Sequence, residues 1–223
     1  MRCPLRWATA LGLALAIVAP TLAEAQIPKF EITPYLGYRF GGGLKAGTVN
    51  QPTLPGLENL DYRDGLNLGL SLAWRIKNGF LLELFGEGMD TRLELEQESG
   101  QPDFPVFDLY MYYVHVGINY EVGDAYEQKL RPIAGISLGA QIKNPAGDER
   151  SAEARISVGI SLGAKYFPGD KWGVRVHGRF MTSYLAPNDR TFCNEDQTVC
   201  YIIPETTFMT QLDISAGLIF PIY

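Results

Sequence analysis

Between Phe30 and Ile222 the chain alternates apolar and polar residues with a period of two, in eight separate stretches. In every stretch the apolar residues hold the even-numbered positions. The first reads Phe30, Ile32, Pro34, Leu36, Tyr38 and Phe40. The others run from Leu66 to Ile76, Phe80 to Gly88, Tyr110 to Val122, Leu130 to Ile142, Ile156 to Tyr166, Trp172 to Tyr184 and Leu212 to Ile222. None of these even positions is charged, although 20% of the chain is. The odd positions carry Glu31, Arg39, Arg75, Glu83, Glu87, Glu121, Arg131, Arg155, Lys165, Arg175, Arg179 and Asp213. His115, His177 and many Gly, Ser, Asn and Gln residues lie among them. Successive side chains of a strand point to opposite faces. The pattern therefore predicts eight strands, each with one wholly apolar face and one polar face.

Strand length and connections sharpen this. About eleven residues at ~3.3 Å each, tilted ~45°, span roughly 25 Å, the height of the apolar band of a transmembrane barrel. Short connections (Lys77–Gly79, Gly123–Gln128, Phe167–Lys171) alternate with long ones (Gly41–Asp64, Met89–Phe107, Lys143–Glu153, Leu185–Thr207). Short turns at one end and long loops at the other are the outer-membrane arrangement. Aromatics gather at strand ends: Phe30, Trp74, Phe80, Tyr120, Tyr166, Trp172 and Phe220 at the short-turn end, and Tyr38, Phe40, Tyr110, Tyr112 and Tyr184 at the other. This placement reads as two interfacial girdles. The fold class is thus all-β, an eight-stranded antiparallel up-and-down transmembrane barrel. A soluble lipocalin-like barrel would use the same alternation with its apolar face inward. Loop asymmetry and end-placed aromatics weigh against it.

After the third stretch the polarity inverts. Arg92, Glu94 and Glu96 are even and Leu93 and Leu95 odd. An arginine facing lipid at mid-bilayer costs roughly 2–4 kcal/mol, so this strand is expected to leave the membrane near Gly88–Asp90 and to continue into water. The Leu93–Glu98 segment could then offer a strand edge to a partner, or be shielded by its glutamates.

The first residues have another purpose. Arg2 and Arg6 precede an apolar run from Ala8 to Ala19, broken only by Thr9, and Ala23-Glu24-Ala25 forms a small-residue cleavage site. A dozen apolar residues cannot span a ~30 Å core, which needs ~20. Residues 1–25 read as a secretory signal peptide and 26–223 as the barrel domain. Cys193 and Cys200 remain beyond it, and an even count in a secreted chain points to a disulfide. The net charge of -6 and pI of about 5.0 give nucleic-acid binding no electrostatic support.

The last strand, Ser215-Ala216-Gly217-Leu218-Ile219-Phe220-Pro221-Ile222, carries a resemblance. It is similar to the C-terminal assembly signal of the small eight-stranded outer-membrane barrels, the OmpX and OmpA-barrel type with the related OmpW and opacity-protein groups. The signal residues would be Gly217, Phe220, Ile222 and Tyr223. The chain departs from the pattern in ending one residue later, at Tyr223, and in having Pro221 within it. Leu82-Glu83-Leu84-Phe85 followed by Asp90-Thr91-Arg92-Leu93 also resembles a recurrent stretch of such barrels. The resemblance implies recognition by the outer-membrane assembly machinery and residence in the bacterial outer membrane.

Eight strands leave an interior that side chains just fill. The twelve charged odd positions are expected to pair there as an ion-pair network, with Glu83 and Glu87 facing arginines. The first function read from this is structural or surface interaction through the extracellular loops. A small pore for ions or solutes is the alternative, and a lipid-modifying enzyme a weaker third. No histidine falls on the lipid face, and no nucleophile elbow or metalloprotease motif occurs. No enzyme activity, cofactor or metal is therefore expected. Expected partners are outer-membrane lipids, lipopolysaccharide and an extracellular protein ligand on acidic loops, with the barrel a monomer.

Overall fold

A computed structural model describes residues 28–47, 59–77, 79–95, 104–123, 128–146, 152–185, 191–193, 200–204 and 207–223. The predicted signal peptide lies outside them. The strands in chain order are β1 (Phe30–Phe40), β2 (Leu44–Gly47), β3 (Asn59–Tyr62), β4 (Gly65–Lys77), β5 (Phe80–Leu95), β6 (Phe104–Glu121), β7 (Leu130–Pro145), β8 (Glu153–Tyr166), β9 (Gly173–Tyr184), β10 (Thr191–Cys193), β11 (Cys200–Pro204) and β12 (Phe208–Ile222). Eight of them close a ring in the order β1, β4, β5, β6, β7, β8, β9, β12, and back to β1, every pairing antiparallel.

The ring has its apolar face outward. Leu68 and Ile136 are each 68% exposed, whereas Arg39 and Asp213 are 0% exposed. A water-soluble barrel would bury the first pair and expose the second. This arrangement is stable only with hydrocarbon outside, which removes the lipocalin-like alternative. Closure also satisfies every strand edge within the belt, as a bilayer requires. Girdle residues pair across strands: Phe30 stacks on Trp74 at 5.4 Å and Phe80 meets Tyr120 at 5.0 Å at the short-turn end. Tyr184 meets Phe208 at 5.8 Å at the other. Gly79 turns the β4–β5 hairpin with a φ of 83°, a conformation glycine adopts without strain.

Above the belt β5 continues into water as its inverted polarity predicts, and the long connections hold more strand than expected. Most of the predicted Met89–Phe107 loop is strand, since β5 runs on to Leu95 and β6 begins at Phe104. The predicted loops Gly41–Asp64 and Leu185–Thr207 contain β2, β3, β10 and β11. These form a small sheet in the order β10-β11-β2-β3 that joins the upper part of β5. Leu93 therefore has β6 on one side and Tyr62 of β3 on the other. Up to Leu95 the segment expected to offer a free edge is paired within the chain; residues 96–98 lie outside the described ones. The physical reason is continuity of parity. Odd residues still point inward at Leu93, which is 0% exposed, so the strand continues upward while its surroundings change from lipid to water.

Candidate functional site in the barrel interior

The inward face of the belt-level strands is filled by ion pairs in layers. At the short-turn end the Lys165 ammonium donates to Glu31 at 2.6 Å and to Glu121 at 3.0 Å. Arg75 donates to Glu121 at 2.9 Å and to Glu31 at 3.5 Å. Arg131 reaches Glu121 at 3.4 Å and lies over the Phe167 ring at 4.3 Å. One layer up, Glu83 receives both terminal nitrogens of Arg175, at 2.6 and 3.1 Å, along with Ser71 and Asn119. Arg179 lies 3.5 Å from the same carboxylate.

The next layer centres on Glu87. It receives Arg39, Arg179 at 3.1 Å and the Tyr35 hydroxyl at 3.0 Å. The Arg179 guanidinium lies 3.9 Å over Phe85, and that of Arg39 lies 4.5 Å over Tyr113. Asp213 receives Asn67 and Ser215 and stands opposite Arg39 on β1 and Arg179 on β9. Small residues make this density possible. A Cβ on Gly69 would fall 2.3 Å from the Tyr35 ring. A carboxylate with two or three donors and a guanidinium sandwiched by rings are what buried charges need to be tolerated.

Arg155 sits near the top of β8, 3.7 Å from Glu153 two residues before it. Lys143, unread in the sequence, is fully buried at a similar height. Its ammonium lies 4.7 Å over the Tyr62 ring and 3.7 Å from the Met209 sulfur. Lys143 and Glu153, the ends of a predicted long connection, lie in β7 and β8. Their odd numbers, continuing the parity of Gln141 and Arg155, were the available signal.

Above the belt-level ion pairs the interior turns mostly apolar, around the buried Lys143 and the Arg155–Glu153 pair. Tyr113 donates to Gln211 at 2.7 Å, and Gln141 donates to the Met111 sulfur at 3.2 Å. Over them pack Leu60, Tyr62, Met89, Leu93, Leu109, Met111, Met181, Leu185 and Met209. Four of the chain's five methionines converge in this lid. Burial pushes the Tyr62 hydroxyl well above its ordinary titration range.

The histidines lie inside at belt level. His115 Nδ1 meets Ser137 Oγ at 3.1 Å, and His177 sets its ring edge-on to Tyr35. Among the described residues no group of three His, Cys, Asp or Glu residues could hold a metal. Gly217 lies opposite Tyr35 and Arg175 on the closing strand, while Phe220 and Ile222 face outward. The Tyr223 hydroxyl donates to the Asp170 carbonyl at 2.6 Å. In the β10–β11 hairpin Cys193 stands directly opposite Cys200.

A closed antiparallel ring of eight strands, apolar outside and ion-paired within, defines an integral membrane barrel of the small outer-membrane type. Solved structures of that type superpose on it. Neisserial surface protein A matches with a TM-score of 0.52 at 14% identity, over 86% of this chain and 97% of its own. OprG of Pseudomonas aeruginosa matches with 0.58 at 10% identity, over 86% and 95%. AlkL, solved in lipid bilayers, matches with 0.51 at 13% identity, over 93% and 98%. No family model and no curated protein matches the sequence. At these identities the likeness is one of fold.

Proposed function

We propose that the protein is a closed barrel of the bacterial outer membrane, whose work is structural or is done by its extracellular part in surface interaction. One observation carries this reading: the interior charges are buried against one another. Arg39, Arg175 and Arg179 are at most 2% exposed at belt level, beneath an apolar lid. An ion path needs hydrated charges, and here guanidinium and carboxylate groups take each other as ligands in place of water. On this reading the chain is not an enzyme and holds no cofactor. It is a monomer, inserted by the assembly machinery through Gly217, Phe220, Ile222 and Tyr223. Lipopolysaccharide surrounds its upper rim, and an extracellular protein is the ligand of its loops.

The test is current across a planar bilayer holding the refolded mature protein, with insertion checked by protease protection. Silence is expected. Steady unitary conductance would overturn the closed reading in favour of a small pore.

A further inference from the structure

One positive charge of the upper interior lies apart from the belt-level ion pairs. Lys143 is the first residue of β7 past its apolar stretch, and its outward neighbour Asn144 is exposed. The Lys143 side chain itself is fully buried. From β7 it reaches across the barrel mouth to two other strands. Its ammonium lies 4.7 Å over the Tyr62 ring of β3 and 3.7 Å from the Met209 sulfur of β12. Neither is the oxygen acceptor that an ammonium takes in water. Glu153, its register partner on β8, lies 3.7 Å from Arg155 of the same strand. Leu93 of β5 and Leu185 of β9 pack into the same cluster without charge. Tyr113 of β6 is engaged by Gln211 and Gln141, and Arg39 of β1 by Glu87.

Tyr62 belongs to a pair of strands with a hinge. β1 passes into β2 through Gly41, Gly42 and Gly43, the first two at φ 79° and 128°, where glycine bends without strain. β3 returns to β4 past Asp64, whose carboxylate accepts the Gly41 N–H at 2.9 Å. Beyond the hinge the ladders are short: β3 meets β5 at Leu60, Asp61 and Tyr62, and β2 meets β11 at Ala46 and Gly47. We propose that β2 and β3 form a proton-linked flap over the barrel mouth, latched where Tyr62 meets Lys143, which the neutral amine closes and the protonated amine loosens. The ring attracts an ammonium, but weakly beside the cost of taking that ammonium out of water. Burial pushes the Lys143 amine down from its ordinary 10.5 to about 8, with Glu153 pulling the other way and Arg155 adding to the fall. An open flap returns the amine to water and to its ordinary range. Opening therefore takes up a proton between these two values. The closed state gains as pH rises from about 8 towards 10.5, and below about 7 both states are protonated and the balance is flat. The flap works in the same way whatever the loops bind.

Hydrogen exchange on the mature chain in phospholipid vesicles tests this. It is read in β3 and upper β5 and divided by the unfolded-chain rate at each pH. Opening should be about tenfold rarer at pH 9 than at pH 7 and equal at pH 6 and pH 7, with the belt-level strands unchanged. Lys143→Met carries no charge at any pH. It should flatten the profile and hold opening at or below the native level at pH 9. Lys143→Arg is charged throughout, and should flatten the profile at or above the native level at pH 7. If Lys143→Met does not insert, Lys143→Gln serves as the uncharged variant. A native profile that is flat from pH 7 to pH 9 would overturn the proposal. So would an uncharged variant that keeps the native pH dependence, or belt-level strands that change in step with β3.

Discussion

The belt-level barrel and its extracellular extension are built from the same strands with opposite interiors. Within the belt, β5 sends Glu83 and Glu87 inward and Leu82 and Leu84 outward. A few residues later it sends Leu93 inward and Arg92 and Glu94 outward. The backbone does not change parity, apart from a bulge between Leu93 and Glu94 where β5 pairs with β6. What changes is the medium outside. Where lipid covers the outer face, that face must be apolar, and the interior is free to hold polar groups provided they are saturated. Where water covers it, the ordinary rule returns and the interior is the only place to bury hydrocarbon. The Gln141–Tyr113–Gln211 hydrogen bonds form the seam between the two regimes.

The largest effect should come from unbalancing the charged interior. Glu83→Ala leaves Arg175 without its carboxylate and weakens the hold on Arg179, and breaking a buried pair from one side costs about 3–5 kcal/mol. Urea unfolding in phospholipid vesicles reads this directly. Adding Arg175→Met to Glu83→Leu should recover part of the loss, since two apolar groups leave no orphaned charge. A double variant worse than the single one would mean that the pair is more than compensated desolvation.

The upper interior should respond to volume rather than charge. Leu93→Ala removes a buried side chain and costs about 2–5 kcal/mol by lost transfer energy and cavity. Because the lid packs above the closed ring, the loss should fall on local opening, visible as faster hydrogen exchange in β3 and upper β5 with the belt-level strands unaffected. Uniform acceleration around the ring would show that the two regions unfold as one.

The outer face gives a graded contrast on a single strand. Leu84→Arg, at belt level, should destabilise by about 2–4 kcal/mol. Arg92→Ala, above the belt, should leave the unfolding midpoint unchanged, because its pair with Asp108 is exposed. A penalty at Arg92 matching that at Leu84 would place the membrane boundary above Arg92 and erase the distinction between regions.

The sequence made the belt legible because lipid enforces parity without exception along eight strands. It also showed the inversion at Arg92. It did not show what the inversion builds. Leu44-Lys45-Ala46-Gly47 and Thr191-Phe192-Cys193 are too short to display a period, and β2 and β10 find their places only through tertiary pairing. Inside the ring, alternation told which charges point inward but not which meet. Arg175 on β9 reaching Glu83 on β5 depends on how far each strand is staggered around the ring, a property of closure rather than of local pattern. For the same reason alternation does not show that Arg155 pairs with Glu153 near the top of β8. Its height on β8 could not be fixed from parity, and Lys143 and Glu153 were lost with the strand ends.

The smallest effect concerns the hairpin farthest from the ring. Cys193 and Cys200 are register partners in the pairing of β10 with β11, strands that reach β5 by way of β2 and β3. A disulfide there closes a loop of few residues, and the entropy removed from the unfolded chain grows with loop length. Reduction should therefore leave the barrel's unfolding midpoint in place while speeding proteolysis between residues 186 and 207. The bond itself is checked first. Maleimide added to the mature chain in denaturant should label neither cysteine before reduction and both afterwards. Labelling before reduction would mean that pairing of β10 with β11, not a covalent staple, sets the shape of this loop. A midpoint that falls on reduction would mean that the extracellular sheet braces the ring, and that the extension and the belt share stability after all.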